Sequence, residues 1–213
     1  MKIIVISDTH NLHDKVKVPD GDVLVHCGDF TGLGTVKELI SFNSFLGKLP
    51  HKKKIIIPGN HDILFEKNQS LARSLLSNAS VLIDELIEIE GIKFFGSPWT
   101  PAFGNWAFMR NREKLQYTWE RIPEEIDVLI THGPPMGILD KIGSYDGSTN
   151  VGCQFLANKV KKIKPKAHLF GHIHEGYGRL LSDDVLFINA AVCDGNYRPI
   201  NKPMVLNLDG IQI

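Results

Sequence analysis

Lys2-Ile3-Ile4-Val5-Ile6-Ser7 runs straight into Asp8-Thr9-His10. Four β-branched apolar residues in a row predict a strand buried on both faces. The polar residues that follow mark the carboxyl end of that strand. The same construction recurs four times. Asp22-Val23-Leu24-Val25-His26-Cys27 leads into Gly28-Asp29, and Lys54-Ile55-Ile56-Ile57-Pro58 into Gly59-Asn60-His61-Asp62. Asp127-Val128-Leu129-Ile130-Thr131 leads into His132-Gly133-Pro134-Pro135, and Ala167-His168-Leu169-Phe170 into Gly171-His172-Ile173-His174. In open α/β sheets the ligand crevice lies outside the carboxyl ends of the strands. A polar cluster drawn from five such ends points to a functional site.

Working outward, three further segments have strand length and composition: Lys93–Gly96, Leu186–Asn189 and Val205–Leu208. Helices are expected over Val36–Leu46, Leu71–Leu76, Arg112–Trp119 and Val151–Ile163. In the last of these, Val151, Phe155, Leu156, Val160 and Ile163 recur near helical spacing, with a solvated lysine face opposite. Early strand–helix alternation indicates parallel pairing, and the stretch after Gly176 reads as strand–turn–strand. The expected architecture is an α/β (α+β) core with antiparallel additions, two sheets packed together with helices outside. At 213 residues the chain fits a single domain, 1–213.

Composition narrows the partners. Twenty-four basic side chains balance 24 acidic ones, so no overall basic field invites nucleic acid. No apolar run approaches a membrane span. Met1–Ser7 is too short for a signal-peptide core, so a cytoplasmic location is expected. Cys27, Cys153 and Cys193 show no CxxC spacing and read as free thiols of a reducing compartment.

The clustered residue types suit metals, because Asp and neutral His supply the oxygen and nitrogen ligands that divalent ions accept, and Asn adds a neutral oxygen. In His172-Ile173-His174 an extended backbone would point both imidazoles the same way. His13, His26, His51 and His168 lack this setting and read as structural or surface histidines.

With D-x-H, G-D, G-N-H-D, a histidine before glycine, and G-H-x-H present in order from Asp8 to His174, the chain resembles the calcineurin-like metallophosphoesterase superfamily. The resemblance implies a four-layer αββα sandwich of two mixed β-sheets flanked by helices. It also implies two divalent metal ions (Mn, Fe, Zn, Mg, Co or Ni). Asp8, His10 and His174 would bind one, and Asn60, His132 and His172 the other, with Asp29 bridging. His61 would contact the substrate phosphate beside Asn60 and act as general acid, and Asp62 would orient His61 or another residue of the site. The implied chemistry is hydrolysis of phosphate esters by metal-activated hydroxide.

Gly96-Ser97-Pro98-Trp99, Val151-Gly152-Cys153 and Phe170–Gly178 further resemble the small brain-type metallophosphoesterase-domain proteins and their microbial relatives. That group is associated with phosphodiesterase activity, including on cyclic nucleotides. Some vertebrate members carry glycine where this sequence keeps His172. The expected substrate is accordingly a small diester such as a cyclic nucleotide, and the protein a monomer or homodimer. A phosphomonoesterase shares the same motifs, and a non-catalytic metal-bound scaffold is the alternative of another class. Trp99, Phe103, Trp106 and Phe108 form an aromatic-rich loop that either packs on the core or walls the pocket. The same resemblance puts Cys153 and Tyr177 near the site without a task.

Overall fold

The computed structural model describes residues 1–143 and 149–208. The chain begins with β1 (Lys2–Ile6) and β2 (Val23–His26), then α1 (Val36–Lys48) and β3 (Lys53–Ile56). Two short helices, α2 (Ile63–Lys67) and α3 (Gln69–Leu75), lead to β4 (Ser80–Val81), β5 (Glu85–Ile89) and β6 (Ile92–Ser97). The short pair β7 (Thr100–Pro101) and β8 (Met109–Arg110) precedes α4 (Arg112–Glu120) and β9 (Val128–Thr131). A second short pair, β10 (Lys141–Ile142) and β11 (Thr149–Asn150), is followed by α5 (Gln154–Ile163) and β12 (Ala167–Phe170). The remaining strands are β13 (Gly178–Ser182), β14 (Val185–Asn189) and β15 (Met204–Asn207).

One sheet has the order β15-β1-β2-β3-β4 and the other β13-β14-β12-β9-β6-β5. The central strands of each run parallel, while β15, β13 and β5 pair antiparallel with their neighbours. Alternation along each strand sorts the side chains into layers. Ile3, Val5, Val25 and Ile55 meet Phe94, Val128, Ile130 and Leu169 between the sheets. Ile4, Ile6 and Leu24 face the other way, onto Leu39, Phe42 and Leu46 of α1. Leu129, Phe170 and Phe187 pack outward onto Leu115 and Trp119 of α4 and Leu156 and Val160 of α5. The molecule is therefore the expected four-layer sandwich, helix–sheet–sheet–helix.

All eight expected strands form, with ends shifted by at most two residues. Helix α1 gains two residues and starts on a capping box. Thr35 Oγ1 accepts from Glu38 N, and Thr35 N donates to the Glu38 carboxylate. Helix α5 begins at Gln154, so the expected start at Val151 is corrected. Val151 N donates to Asp140 O and Cys153 N to Pro134 O, which commits these residues to the β11 connection instead. Helix α2, the edge strand β5 and the two-residue strands β4, β7, β8, β10 and β11 are additions to the expected elements: such short segments give too little periodicity, and β5 is largely exposed.

The two sheets meet where the site lies. Ser7, just past β1, bridges in parallel to Ala191, just past β14, and Val192 N donates to Ser7 O at 2.9 Å.

Candidate metal centre and substrate pocket

The polar residues sit where strands end and the backbone turns sharply. Asp8 (φ 55°), His10 (φ 41°), Asp29 (φ 57°) and His172 (φ 69°) all occupy the left-handed region, which costs an L-residue on the order of 1–2 kcal/mol. Cross-links between the loops hold them there. Asp8 N donates to Gly28 O at 2.9 Å and His10 N to Asp29 O at 3.0 Å. Beneath them the buried His26 accepts from Gly28 N at Nδ1 (3.2 Å), so its Nε2–H donates to Thr9 Oγ1 (3.0 Å). Burial pushes His26 down to about 3, which keeps this neutral tautomer in place. Glycine is needed where chains approach closely. A Cβ at Gly171 would lie 2.1 Å from Asp8 Oδ2, and one at Gly59 would lie 2.2 Å from Asp29 Oδ1.

Two groups of potential ligands result. Asp8, His10 and His174 bring their donor atoms within 4.8 Å of one another, as do Asp29, His132 and His172. In the first, His174 Nε2 lies 3.5 Å from Asp8 Oδ1 and 3.3 Å from His10 Nε2. In the second, His132 Nε2 lies 3.3 Å from Asp29 Oδ2 and 2.9 Å from Asn60 Oδ1. Asp29 Oδ2 is also 4.0 Å from His10 Nε2, so one carboxylate oxygen faces both groups. All seven residues named from the sequence are thus brought together.

The donors are oriented for cations. His132 Nδ1–H donates to Cys27 O and His174 Nδ1–H to Asp194 O, each at 2.9 Å, so each ring turns Nε2 into the cluster. Asp8 Oδ2 accepts from His172 N at 2.9 Å, while Asp8 Oδ1 is buried without a hydrogen-bond partner.

Electrostatics say the same. Burial would raise the Asp8 carboxyl, but the adjoining His174 holds it well below the usual range. Burial is likewise overcome at Asp29 by His132. In return, against burial, Asp29 raises His132 to about 9 and Asp8 raises His174 to about 9. Burial lowers His10, and pushes His172 down to about 3. Protons on two imidazoles thus balance two buried carboxylates where divalent ions would fit.

His61 stands beside this cluster. Its Nδ1–H donates to Gly32 O at 2.7 Å, its backbone N donates to Asp29 Oδ1 at 2.8 Å, and its ring lies 4.2 Å from that of Trp106, tilted by 30°. One nitrogen of its ring also lies within 4.8 Å of donor atoms of His10 and Asp29. Asp62 does not orient the His61 ring, because the Gly32 carbonyl does that. Its carboxylate accepts instead from Gly59 N (2.7 Å), Asp29 N (2.9 Å), Thr31 N (3.0 Å) and Thr31 Oγ1 (2.7 Å). It clamps the Asp29 and Asn60 loops to each other.

Above the cluster opens a cavity of about 450 Å³. The aromatic loop divides between the two readings: Phe103 and Trp106 line the cavity, while Trp99 and Phe108 pack into the core. Cys153 is buried and accepts from Trp119 Nε1, and Tyr177 Oη donates to Lys202 O; neither lines the cavity. Tyr197 does, 4.8 Å from the His10 ring. No spacing in the sequence marks Tyr197 or the carbonyls of Cys27, Gly32 and Asp194, since their role depends on how distant loops meet.

Residues 1–176 match the family model described as calcineurin-like phosphoesterase. The chain belongs to that family. It is 40% identical to human metallophosphoesterase domain-containing protein 1, over 97% of this chain and 71% of that one. It is 39% identical to UPF0046 protein C25E10.12 of Caenorhabditis elegans, over 98% and 81%. Among solved structures, TT1561 of Thermus thermophilus superposes with a TM-score of 0.61 at 13% identity, covering 97% of this chain and 98% of that one, and so shares the fold. As a calcineurin-like phosphoesterase the protein is a metal-dependent hydrolase of phosphate esters with a dinuclear divalent centre, and the Asp and His donors above suit that centre. Among the described residues, no helix is long and apolar enough to cross a membrane.

Proposed function

We propose that the protein is a phosphodiesterase for small diesters such as cyclic nucleotides. The observation that carries this reading is the cavity lining. Outside the ligand cluster and His61, the described lining holds one cation, Arg112, and one carboxylate, Glu175; the rest is largely apolar or aromatic. A diester carries one negative charge and two organic arms. A monoester dianion is better matched by additional Arg or Lys side chains, and the described lining offers Arg112 alone.

In this proposal Asp8, His10 and His174 hold one ion, Asn60, His132 and His172 the other, and Asp29 touches both. When bound, the pair of ions activates water and offsets charge on the phosphoryl oxygens. The protein's own groups do the rest. Carbonyls of Cys27 and Asp194 fix two of the ligand rings. His61, anchored through Nδ1–H, presents Nε2 as the group that would protonate the departing ester oxygen, with the Trp106 ring 4.2 Å away. A cytoplasmic location belongs to the same proposal and is supported by three unpaired, buried cysteines.

The test is a substrate panel on metal-reconstituted protein: a bis-aryl phosphate, an aryl monophosphate, and 2′,3′- and 3′,5′-cyclic nucleotides. Diesters should be turned over faster than the monoester. The reverse order would make the protein a monoesterase, and no turnover with both ions bound would make it a scaffold.

A further inference from the structure

Two aromatic rings at the cavity mouth have no part in metal binding or proton transfer. Phe103 is 61% exposed and lies 5.3 Å from the His172 ring. Tyr197 is 51% exposed and lies 4.8 Å from His10 and 5.5 Å from His174. One ring therefore borders each of the two ligand groups, and both line the same cavity. A single exposed aromatic needs no explanation; a pair flanking a polar cluster in one cavity does.

Both rings stand on braced backbone. Phe103 is carried between β7 and β8, where Thr100 N donates to Phe108 O and Ala102 N to Arg110 O, each at 2.9 Å. The loop base is fixed by Trp99, which donates to Asp84 at 3.0 Å and lies 3.5 Å under the Arg110 guanidinium. Ala107 N ties the same loop to Asn60 O at 3.1 Å. Tyr197 sits in a turn braced by Asp194, whose Oδ1 accepts from Asn196 N (3.0 Å) and Arg198 N (2.9 Å), and whose Oδ2 accepts from Arg198 Nε (2.8 Å). Tyr197 itself has φ 56°. A bulky side chain held in the left-handed region costs energy, and such strain concentrates where a ligand is met. The Asp194 carbonyl that anchors His174 belongs to the same turn, so the ring is in fixed register with the cluster.

We propose that Phe103 and Tyr197 form a subsite for a planar aromatic arm of the substrate, and that they determine specificity for aryl or nucleobase-bearing phosphate esters. Flat rings offer sequence-tolerant stacking faces, and the hydrogen bonds that brace their loops reduce the ordering cost of binding. The inference rests on the phosphoester site proposed above. It adds which ester arm that site selects and which side chains select it.

The experiment compares affinities of phenylphosphonate and methylphosphonate for the metal-loaded protein by calorimetry. The two share a head group and differ only in the arm. The parent should prefer the phenyl compound. Phe103→Ala and Tyr197→Ala should each cut the phenyl-over-methyl ratio by about fivefold or more, while Phe103→Tyr and Tyr197→Phe, which keep a flat ring, should retain it. A kinetic arm uses bis(4-nitrophenyl) phosphate and methyl 4-nitrophenyl phosphate, which share a leaving group, and the same ratio of kcat/KM should fall in the alanine variants. Equal affinity of the parent for both phosphonates would overturn the subsite, as would alanine variants that weaken both compounds equally. If the parent hydrolyses neither diester but the phosphonate preference behaves as expected, the diesterase reading fails and the subsite stands.

Discussion

Loading the metal-free protein with Mn²⁺ should release about two protons per molecule near pH 7.5. The number follows from the site. Against the effect of burial, Asp29 and Asp8 raise His132 and His174 to about 9. A base about 1.5 units above the ambient pH is about 97% protonated. The Nδ1–H of each ring is committed to a backbone carbonyl, so the proton displaced by an ion is the one on Nε2. His10 and His172 are lowered, mainly by burial, and Asp8 and Asp29 are held as carboxylates, so none of these contributes. The sign is fixed: ions compete with protons, so affinity rises with pH and levels off near 9. Between pH 7 and 8 the overall constant for two ions should rise about 100-fold, or about 2.7 kcal/mol at about 1.36 kcal/mol per proton and pH unit. Calorimetric titration in buffers of different ionisation enthalpy reads the proton count as the slope of observed against buffer enthalpy. A slope near zero across pH 7–8 would show that the site is already deprotonated and would refute the charge balance described here.

Other outcomes test other parts. Asp29→Asn should lose both ions and nearly all turnover, whereas Asp8→Asn should chiefly weaken one ion; metal stoichiometry of the two variants decides, and two tightly held ions in Asp29→Asn would end the bridging assignment. His61→Ala should keep both ions and lose turnover most on esters with poor leaving groups, read as a steeper dependence of rate on leaving-group pKa; loss of an ion would make His61 a ligand. His168, which burial pushes down to about 3, contributes stability that is complete above its unfolded value near 6.5 and is lost as pH falls from there toward 3. Chemical denaturation at pH 7 and pH 5 should therefore show the parent losing about 2 kcal/mol more than His168→Gln, since about 1.5 units separate pH 5 from the unfolded value; parallel losses would remove His168 as the cause.

The sandwich is legible in the sequence because its strands are apolar on both faces, a pattern that requires cover on both sides of each sheet. The seven ligand candidates are legible because each follows a strand directly, so the strand order brings them to one edge. What stays hidden depends on meetings between distant segments. Asp62 follows His61, and the sequence leaves open whether it steers that ring or another residue of the site. Its carboxylate instead reaches the backbone of Asp29, Gly59 and Thr31, a contact that only the packing of β2 against β3 creates. Tyr197 lies in a turn whose composition is ordinary, and its place beside His10 follows from the bridge between Ser7 and Ala191 that joins the sheets. Helix α5 reads too long in the sequence because Val151 continues the apolar period, while its backbone N–H is taken by Asp140 O.

The backbone of His172, at φ 69°, is a conformation in which glycine is at ease and histidine is not. Selection for metal binding and selection for folding therefore pull this position in opposite directions. Replacement of His172 by glycine deletes a ligand and relaxes the loop in the same event, so loss of the second ion is downhill in stability on the order of 1 kcal/mol. Asp8, His10 and Asp29 share this backbone conformation, but glycine there would also remove side-chain hydrogen bonds to His172 N, His174 Nε2 and His61 N. At His172 it relaxes the loop, which makes this position the natural exit from catalysis for any lineage that retains the scaffold, and glycine the residue that exit would leave behind.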